Sequence, residues 1–298
     1  MNRYQLDKQQ IQRSFNRAAA RYDEVAVLQR EVGGRMLERM ELIRHQPGLI
    51  LDIGAGTGYC SHSLLQRYRK AVVVSADLSP AMLRIAAGRG SVWERWRRRH
   101  FFVTADMEQL PFADACVDLL FSNLTLQWCL DLKRAFSEIR RILKPGGLLM
   151  FSTFGPDTLK ELRESWRTVD DYTHVSAFAD MHDIGDLVLG CQFADPVMDS
   201  EQFTLTYSEV RELMWDLKTL GAHNATAGRQ RSLTGKQRFA RMTEAYENHR
   251  REGVLPATYE VIYGHAWAPE LCVSRPGKGE ENTVSLAQMR SAIRRRNP

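Results

Sequence analysis

The stretch Leu49-Ile50-Leu51-Asp52-Ile53-Gly54-Ala55-Gly56-Thr57-Gly58 constrains this chain more than any other part of it. An apolar run without polar alternation reads as a strand buried on both faces, as in the parallel sheet of an α/β fold. Glycines follow, and a backbone without Cβ atoms turns tightly there and can approach a ligand closely. The dinucleotide fingerprint is G-x-G-x-x-G. Here Gly54, Gly56 and Gly58 are spaced G-x-G-x-G, with Asp52 two residues ahead. A carboxylate at that place would repel a pyrophosphate but accepts hydrogen bonds from an ammonium. The turn therefore favours S-adenosylmethionine, with S-adenosylhomocysteine as the product form. A purely structural glycine turn is the alternative, and the segments downstream weigh against it.

After Gly58 the pattern alternates between helix and strand. Residues 61–68 have helical character, and 71–76 form a β-branched strand that ends in Asp77. Ser79-Pro80 supplies an N-cap and a first-turn proline for a helix through Ala87. Residues 100–105 are a third strand ending in Asp106; 116–121 and 148–151 are the fourth and fifth. Between the last two, Asp131 caps a helix through Leu143 that Lys144-Pro145-Gly146-Gly147 closes. Such alternation implies a Rossmann-like, mostly parallel sheet with helices on both faces, and ligands in such sheets sit at the carboxyl ends of the strands. Residues 257–267 alternate as a strand expected to close the sheet in antiparallel sense, and 197–207 also have strand character. One helix is expected over 25–44, and a mostly helical insertion over about 208–250. With the N-terminal segment 1–45 the insertion would form a lid. Asp180 is a candidate N-cap for 181–189.

With 298 residues and 44% hydrophobic content the chain can bury a substantial core. A single domain over 1–269 is expected, followed by a polar, mobile tail over 270–298. The formal net charge is only +5, which permits an acidic partner without demanding one. Five scattered cysteines without a C-x-x-C pair favour a reducing compartment and argue against structural zinc. His182, His223 and His265 lack ligand spacing, so no metal is expected. With neither an apolar run of membrane-span length nor a signal-peptide core, a cytoplasmic protein is the expectation.

The acids carry the cofactor reading further. Asp77 lies nineteen residues after Gly58, where a carboxylate at a strand end can accept from both ribose hydroxyls. Capping the next helix is its alternative role, although Ser79 is better placed for that. Asp106 could take the adenine amino group, with Met107 packed on the ring. Asn123, in Ser122-Asn123-Leu124 after the fourth strand, would line the pocket near the methyl group. The cofactor-binding set is thus Asp52, Gly54, Gly56, Gly58, Asp77, Leu78, Asp106, Met107 and Asn123.

These residues together resemble the class I S-adenosylmethionine methyltransferases. More narrowly, residues 15–23 (Phe15-Asn16-Arg17-Ala18-Ala19-Ala20-Arg21-Tyr22-Asp23), 151–159, 180–186, 220–225 and 263–267 resemble the malonyl-acyl-carrier-protein O-methyltransferase family of biotin synthesis. The similarity extends to about Pro269. The insertion-like, basic stretch 88–99 departs from the family, so no family role is carried onto it; it lies within a basic patch over 84–100. The resemblance implies methylation of the free carboxylate of a malonyl thioester on acyl carrier protein, with malonyl-CoA as an alternative substrate. The ester would then be elongated as a primer toward pimeloyl synthesis. A carboxylate is already an anion at neutral pH, so alignment and water exclusion matter more than proton removal. A cation that orients the carboxylate is expected, and bidentate Arg suits it.

Arg163 is the candidate if Pro156 starts a helix, with a solvated surface charge as the alternative. Tyr22 could close over the methyl donor or be simple lid packing. Gln127 could polarise a substrate oxygen or only cap a turn. The arginines and tryptophans of the basic stretch could meet an acidic carrier protein, or form a solvated loop with one tryptophan tucked inward. Nucleic acid is not expected as a partner, because no recognition module accompanies the patch, and neither is a membrane. The remaining alternatives are a methyltransferase for another small carboxylate or a quinone precursor, and a non-catalytic assembly factor that keeps the fold.

Overall fold

The computed structural model describes residues 6–90, 99–222 and 235–270. The glycine stretch forms β1 (Leu49–Ile53) and the turn after it, in the interior of a seven-stranded sheet ordered β3-β2-β1-β4-β5-β7-β6. The other strands are β2 (Val72–Asp77), β3 (His100–Thr104), β4 (Val117–Ser122), β5 (Leu143–Phe154), β6 (Ala194–Tyr207) and β7 (Leu255–Trp267). β1 to β5 pair with one another in parallel. β7 runs antiparallel to both β5 and β6. The expected Rossmann-like fold with an antiparallel closing strand is therefore present. β7 is, however, an interior strand and β6 the edge. The burial patterns explain this order: β7 is buried at nearly every position, whereas β6 alternates between partly covered and exposed residues.

Side-chain alternation feeds two cores. Ile50, Leu119 and Leu148 face one, shared with Leu28, Val32 and Met36 of α3 (Val27–Arg39) and Leu64 of α4 (Tyr59–Arg67). Leu51, Leu120 and Leu149 face the other, under Phe136 and Ile139 of α6 (Leu132–Ile142) and Val188 of α8 (Met181–Gly190). Because both faces are covered by helices, ligand access is left to the strand ends.

Several element ends differ from expectation. The helix expected over 25–44 is divided at Ala26, whose ψ of 42° leaves the helical region, into α2 (Tyr22–Val25) and α3, and a 3₁₀ turn (Met40–Leu42) ends it. β5 starts at Leu143, which pairs with Val117 before an irregularity in the register, so Lys144-Pro145-Gly146-Gly147 belongs to the strand rather than closing α6. The caps are as expected. Ser79 accepts from Met82 at the start of α5 (Pro80–Arg89), Asp131 accepts from Arg134, and Asp180 accepts from His182 and Asp183. Within 208–250 the described helices are α9 (Val210–Thr219) and α10 (Lys236–Glu247). Residues 91–98 of the basic stretch, including Trp93, Trp96, Arg97 and Arg98, lie outside the described residues, as do His223 and the tail from Leu271. No helix among the described residues is long and apolar enough to cross a membrane.

Candidate active site

The turn after β1 holds Gly54, Gly56 and Gly58 at φ of 71°, 54° and 82°, values that L-residues with a Cβ rarely adopt. A Cβ on Gly58 would lie 2.8 Å from Ala86 of α5, whereas one on Gly56 would point into open space with nothing within 4 Å. The first glycine lets the turn pack on a helix. The second leaves backbone bare beside a cavity.

That cavity lies at the carboxyl ends of the parallel strands. Gly54, Gly56, Asp77, Leu78, Asp106, Met107 and Asn123 line it, together with Tyr22 and Gln127. Asp77 accepts from the backbone N–H of Gly56 at 2.9 Å and of Ser79 at 2.7 Å. Burial pushes its carboxyl up to about 6, against the pull of those two bonds. Asp52 is 1% exposed, and burial pushes it up to about 7, opposed by a hydrogen bond from Ser61 and aided by the charge of Asp77. Its Oδ2 accepts from Ser61 Oγ, but Oδ1 is buried without a hydrogen-bond partner. Gln29 Oε1 is likewise buried and unpartnered. Both residues border a small chamber beside the glycine turn. An orphaned acceptor inside a protein costs roughly 1–3 kcal/mol, so a pair of them in one chamber fits a multi-donor cation such as the ammonium of S-adenosylmethionine.

At the other end, Asp106 is held by Lys8 Nζ at 2.5 and 2.7 Å, and Lys8 also reaches Glu108 at 3.0 Å. An ionised carboxylate has about four lone-pair sites, so this pairing leaves capacity for an adenine amino group. Lys8 belongs to α1 (Lys8–Ala18), which crosses the cavity. Gln12 Nε2 donates to Leu78 O at 2.8 Å, and Asn16 Oδ1 accepts from Ser79 Oγ at 2.7 Å and Ala81 N at 3.2 Å. The apolar side of the helix presents Ile11 and Phe15, and Phe15 meets Trp128 edge-to-face at 5.2 Å. Asp23 then ties the following segment to the glycine turn through Thr57 Oγ1 at 2.7 Å and an ion pair with Arg89.

Of the substrate-side candidates, Tyr22 borders the cavity; burial, then Asp77 and Asp23, pushes its phenol upward. Gln127 stands where the cofactor cavity opens into an outer cleft of about 660 Å³, and shares that junction with Gln29, Trp128 and Phe154. Its amide also braces the local turn, donating to Leu124 O at 2.7 Å and accepting from Thr153 at 3.2 Å. Asn123 is similarly engaged, donating to Gln29 O at 2.8 Å and accepting from Ser152 at 2.9 Å.

Arg163 lies apart from these residues. It borders neither the cofactor cavity nor the outer cleft but a neighbouring one, and its guanidinium donates to Pro156 O at 2.8 Å and Thr158 O at 3.0 Å. The reason is local. Leu159 adopts a left-handed φ of 54°, so α7 (Lys160–Arg167) starts four residues later than Pro156 and turns Arg163 back over its own loop. Arg99, the described arginine at the end of the basic stretch, is similarly occupied, reaching the carbonyls of Tyr68 and Ala71 at 3.4 and 3.2 Å. Among the described residues no group of three or more His, Cys, Asp or Glu could hold a metal ion.

Sequence reasoning missed Lys8, Gln12, Asn16, Asp23 and Gln29. The four-residue spacing of Lys8, Gln12 and Asn16 marks one helix face, but a polar face ordinarily faces solvent.

Comparison with known proteins places this geometry. A family profile described as a methyltransferase domain matches residues 51–151. The YcgJ protein from Bacillus subtilis shares the fold with a TM-score of 0.58 at 15% identity, covering 81% of this chain and 99% of that one. A phosphoethanolamine N-methyltransferase from Haemonchus contortus, in complex with S-adenosyl-L-methionine, superposes with a TM-score of 0.50 at 18% identity, over 80% of this chain and 52% of that one. Curated relatives extend along nearly the whole sequence. The malonyl-acyl-carrier-protein O-methyltransferase of Nitrosospira multiformis is 53% identical over 89% of this chain and 90% of its own. That of Gallionella capsiferriformans is 52% identical over 93% and 96%. One from Coxiella burnetii is 46% identical over 95% and 96%. By this likeness the chain belongs to the malonyl-acyl-carrier-protein O-methyltransferase family.

Proposed function

We propose that the protein transfers the methyl group of S-adenosylmethionine to the free carboxylate of a malonyl thioester on acyl carrier protein. In this reading the ester primes pimeloyl synthesis for biotin, in the cytoplasm. The observation that carries it is the identity of about one half to curated malonyl-acyl-carrier-protein methyltransferases across nearly the entire chain, because a cofactor cavity alone is common to methyltransferases with many substrates.

S-adenosylmethionine, when bound, supplies a methyl group on a positively charged sulfur that a carboxylate can take without a base. The residues at hand would hold it as follows. Asp52 and Gln29 accept from its ammonium, Asp77 from the ribose hydroxyls and Asp106 from the adenine amino group. Leu78 and Met107 flank the ring, and the bare backbone at Gly56 allows close approach. Ile11, Phe15 and Trp128 exclude water. Tyr22 covers the region of the methyl group.

The acceptor carboxylate is assigned to the junction of the two cavities, where Gln29 and Gln127 can offer amide N–H groups. Among the described residues, none of the side chains shared by the cofactor cavity and the outer cleft is charged. A neutral junction suits this chemistry. Opposite charges cancel as the methyl moves, so a strongly bound cation would stabilise the reactant carboxylate more than the transition state.

The test is transfer of labelled methyl from S-adenosylmethionine to malonyl carrier protein, malonyl-CoA and free malonate. The proposal expects the carrier protein to be the best acceptor. Cofactor binding without transfer to any of the three would overturn it in favour of a non-catalytic factor or a different acceptor.

A further inference from the structure

The outer cleft contains a polar device that methyl transfer does not use. Its wall combines apolar Leu162, Trp166, Val175, Phe178 and Leu217 with polar side chains that include Thr158, Thr173, Ser176 and the imidazole of His174. His174 Nε2 lies 2.8 Å from Asp170 Oδ1, in a pair whose side chains are only 13% and 9% exposed. The ring stacks on Trp166 with centroids 3.7 Å apart and planes 4° from parallel. Asp170 Oδ2 is buried without a hydrogen bond, and Arg238 stands 3.9 Å away.

An ionised carboxylate only accepts, so the proton of a neutral imidazole resides on Nε2 and leaves Nδ1 as an acceptor. The stack on Trp166 fixes the plane of the ring. Asp170 and Trp166 together thus hold one acceptor, in one tautomer, within this wall. The cleft opens from the junction assigned to the acceptor carboxylate, and His174 borders the cleft but not the cofactor cavity. The cleft is also larger than a short malonyl group needs.

Resting on the proposed function, we infer that the outer cleft is the channel for the pantetheine arm and that His174 Nδ1 accepts an amide N–H of that arm. The arm is a chain of methylenes and amides. Its apolar parts match the apolar side chains of the wall, and a buried amide N–H requires an acceptor. Beyond the arm lies a phosphate in both carrier protein and CoA, and the exposed cations Arg17 and Lys218 line the same cleft. Arm recognition makes His174 a specificity-determining residue, separate from the reacting atoms.

The test uses the full chain with malonyl carrier protein, malonyl-CoA, and pantetheine as a competitor that lacks both malonyl group and phosphate. His174→Ala is expected to raise KM for both malonyl substrates and weaken competition by pantetheine about three- to tenfold, the range of one neutral hydrogen bond. Turnover at saturation and cofactor affinity should stay within about twofold of wild type on the same ground. His174→Gln, which restores an acceptor, should recover part of the loss. Asp170→Ala should reproduce part of the loss, because the oxygen that holds the ring proton on Nε2 is then gone. Unchanged KM and unchanged pantetheine competition in folded His174→Ala would overturn the inference, as would a fall in turnover with KM constant. Failure of the wild type to methylate malonyl carrier protein would instead sink the proposed function.

Discussion

Single residues decide what the cavity can bind, and Asp52 is the most consequential of them. Its carboxyl, pushed up to about 7 by burial, lies above the ~3.9 of an unfolded Asp. Between those values the folded chain keeps a proton that the unfolded chain has released, so this residue makes the cofactor-free protein less stable as pH rises across that window. Asp52→Asn should flatten that part of the dependence of Tm on pH, measured without cofactor by thermal melts from pH 5 to 8. The same substitution should weaken S-adenosylmethionine binding roughly ten- to hundredfold, as expected for a hydrogen bond to a charged group. Wild-type affinity should fall as pH drops through 7, because a protonated Asp52 loses its negative charge toward the ammonium. Calorimetric Kd values at pH 6 and 8 check both. Arg163 belongs to the same scale with the opposite expectation. Its bonds to Pro156 and Thr158 make it a loop brace, so Arg163→Ala should cost about 1–2 kcal/mol of stability and leave cofactor affinity unchanged. A large loss of turnover in a fully folded Arg163→Ala protein would restore it to the substrate site.

Whole elements show which parts of the site were legible in the sequence. The glycine turn, Asp77 and Asp106 could be read because parallel strands deliver their last residues to one edge of the sheet, whatever the details of packing. Ser79, Asp131 and Asp180 could be read because an N-cap bonds within its own turn. Leu159 could not, since nothing in Pro156-Asp157-Thr158-Leu159 marks a non-glycine residue at positive φ. That one backbone angle displaced Arg163. α1 was readable only as part of the N-terminal lid, through its position, while its hydrogen-bond partners, far away in sequence at Leu78, Ser79 and Asp106, were not visible. Its clasp has a kinetic consequence. Lys8→Ala combined with Asn16→Ala removes two of the three polar ties, so release of S-adenosylhomocysteine should accelerate by about tenfold or more, by analogy with hydrogen bonds worth about 1 kcal/mol each. Stopped-flow displacement measures this rate. An unchanged rate would mean that α1 does not gate the cofactor.

Across the whole molecule, the sheet supplies a rigid edge, α1 and the segment to Asp23 close one side, and Leu220 and Ala222 after α9 border both the cofactor cavity and the outer cleft. Cofactor binding should therefore stabilise the entire chain. At a free concentration one hundred times Kd the gain is about 2.7 kcal/mol, visible as a rise in Tm that Asp77→Ala should largely abolish. Specificity is a property of this same scale, because the general motifs lie within 51–151 while the relatives match far beyond them. The central claim is that the methyl group ends on the malonyl carboxylate. The most direct measurement is intact-mass analysis of malonyl carrier protein after incubation with enzyme and S-adenosylmethionine, followed by treatment with a carboxylesterase at neutral pH, which spares the thioester. The account predicts the gain of one methyl group, absent with acetyl carrier protein and reversed by hydrolysis to the original malonyl mass. A methyl group that also appears on acetyl carrier protein, or that survives hydrolysis, would contradict it.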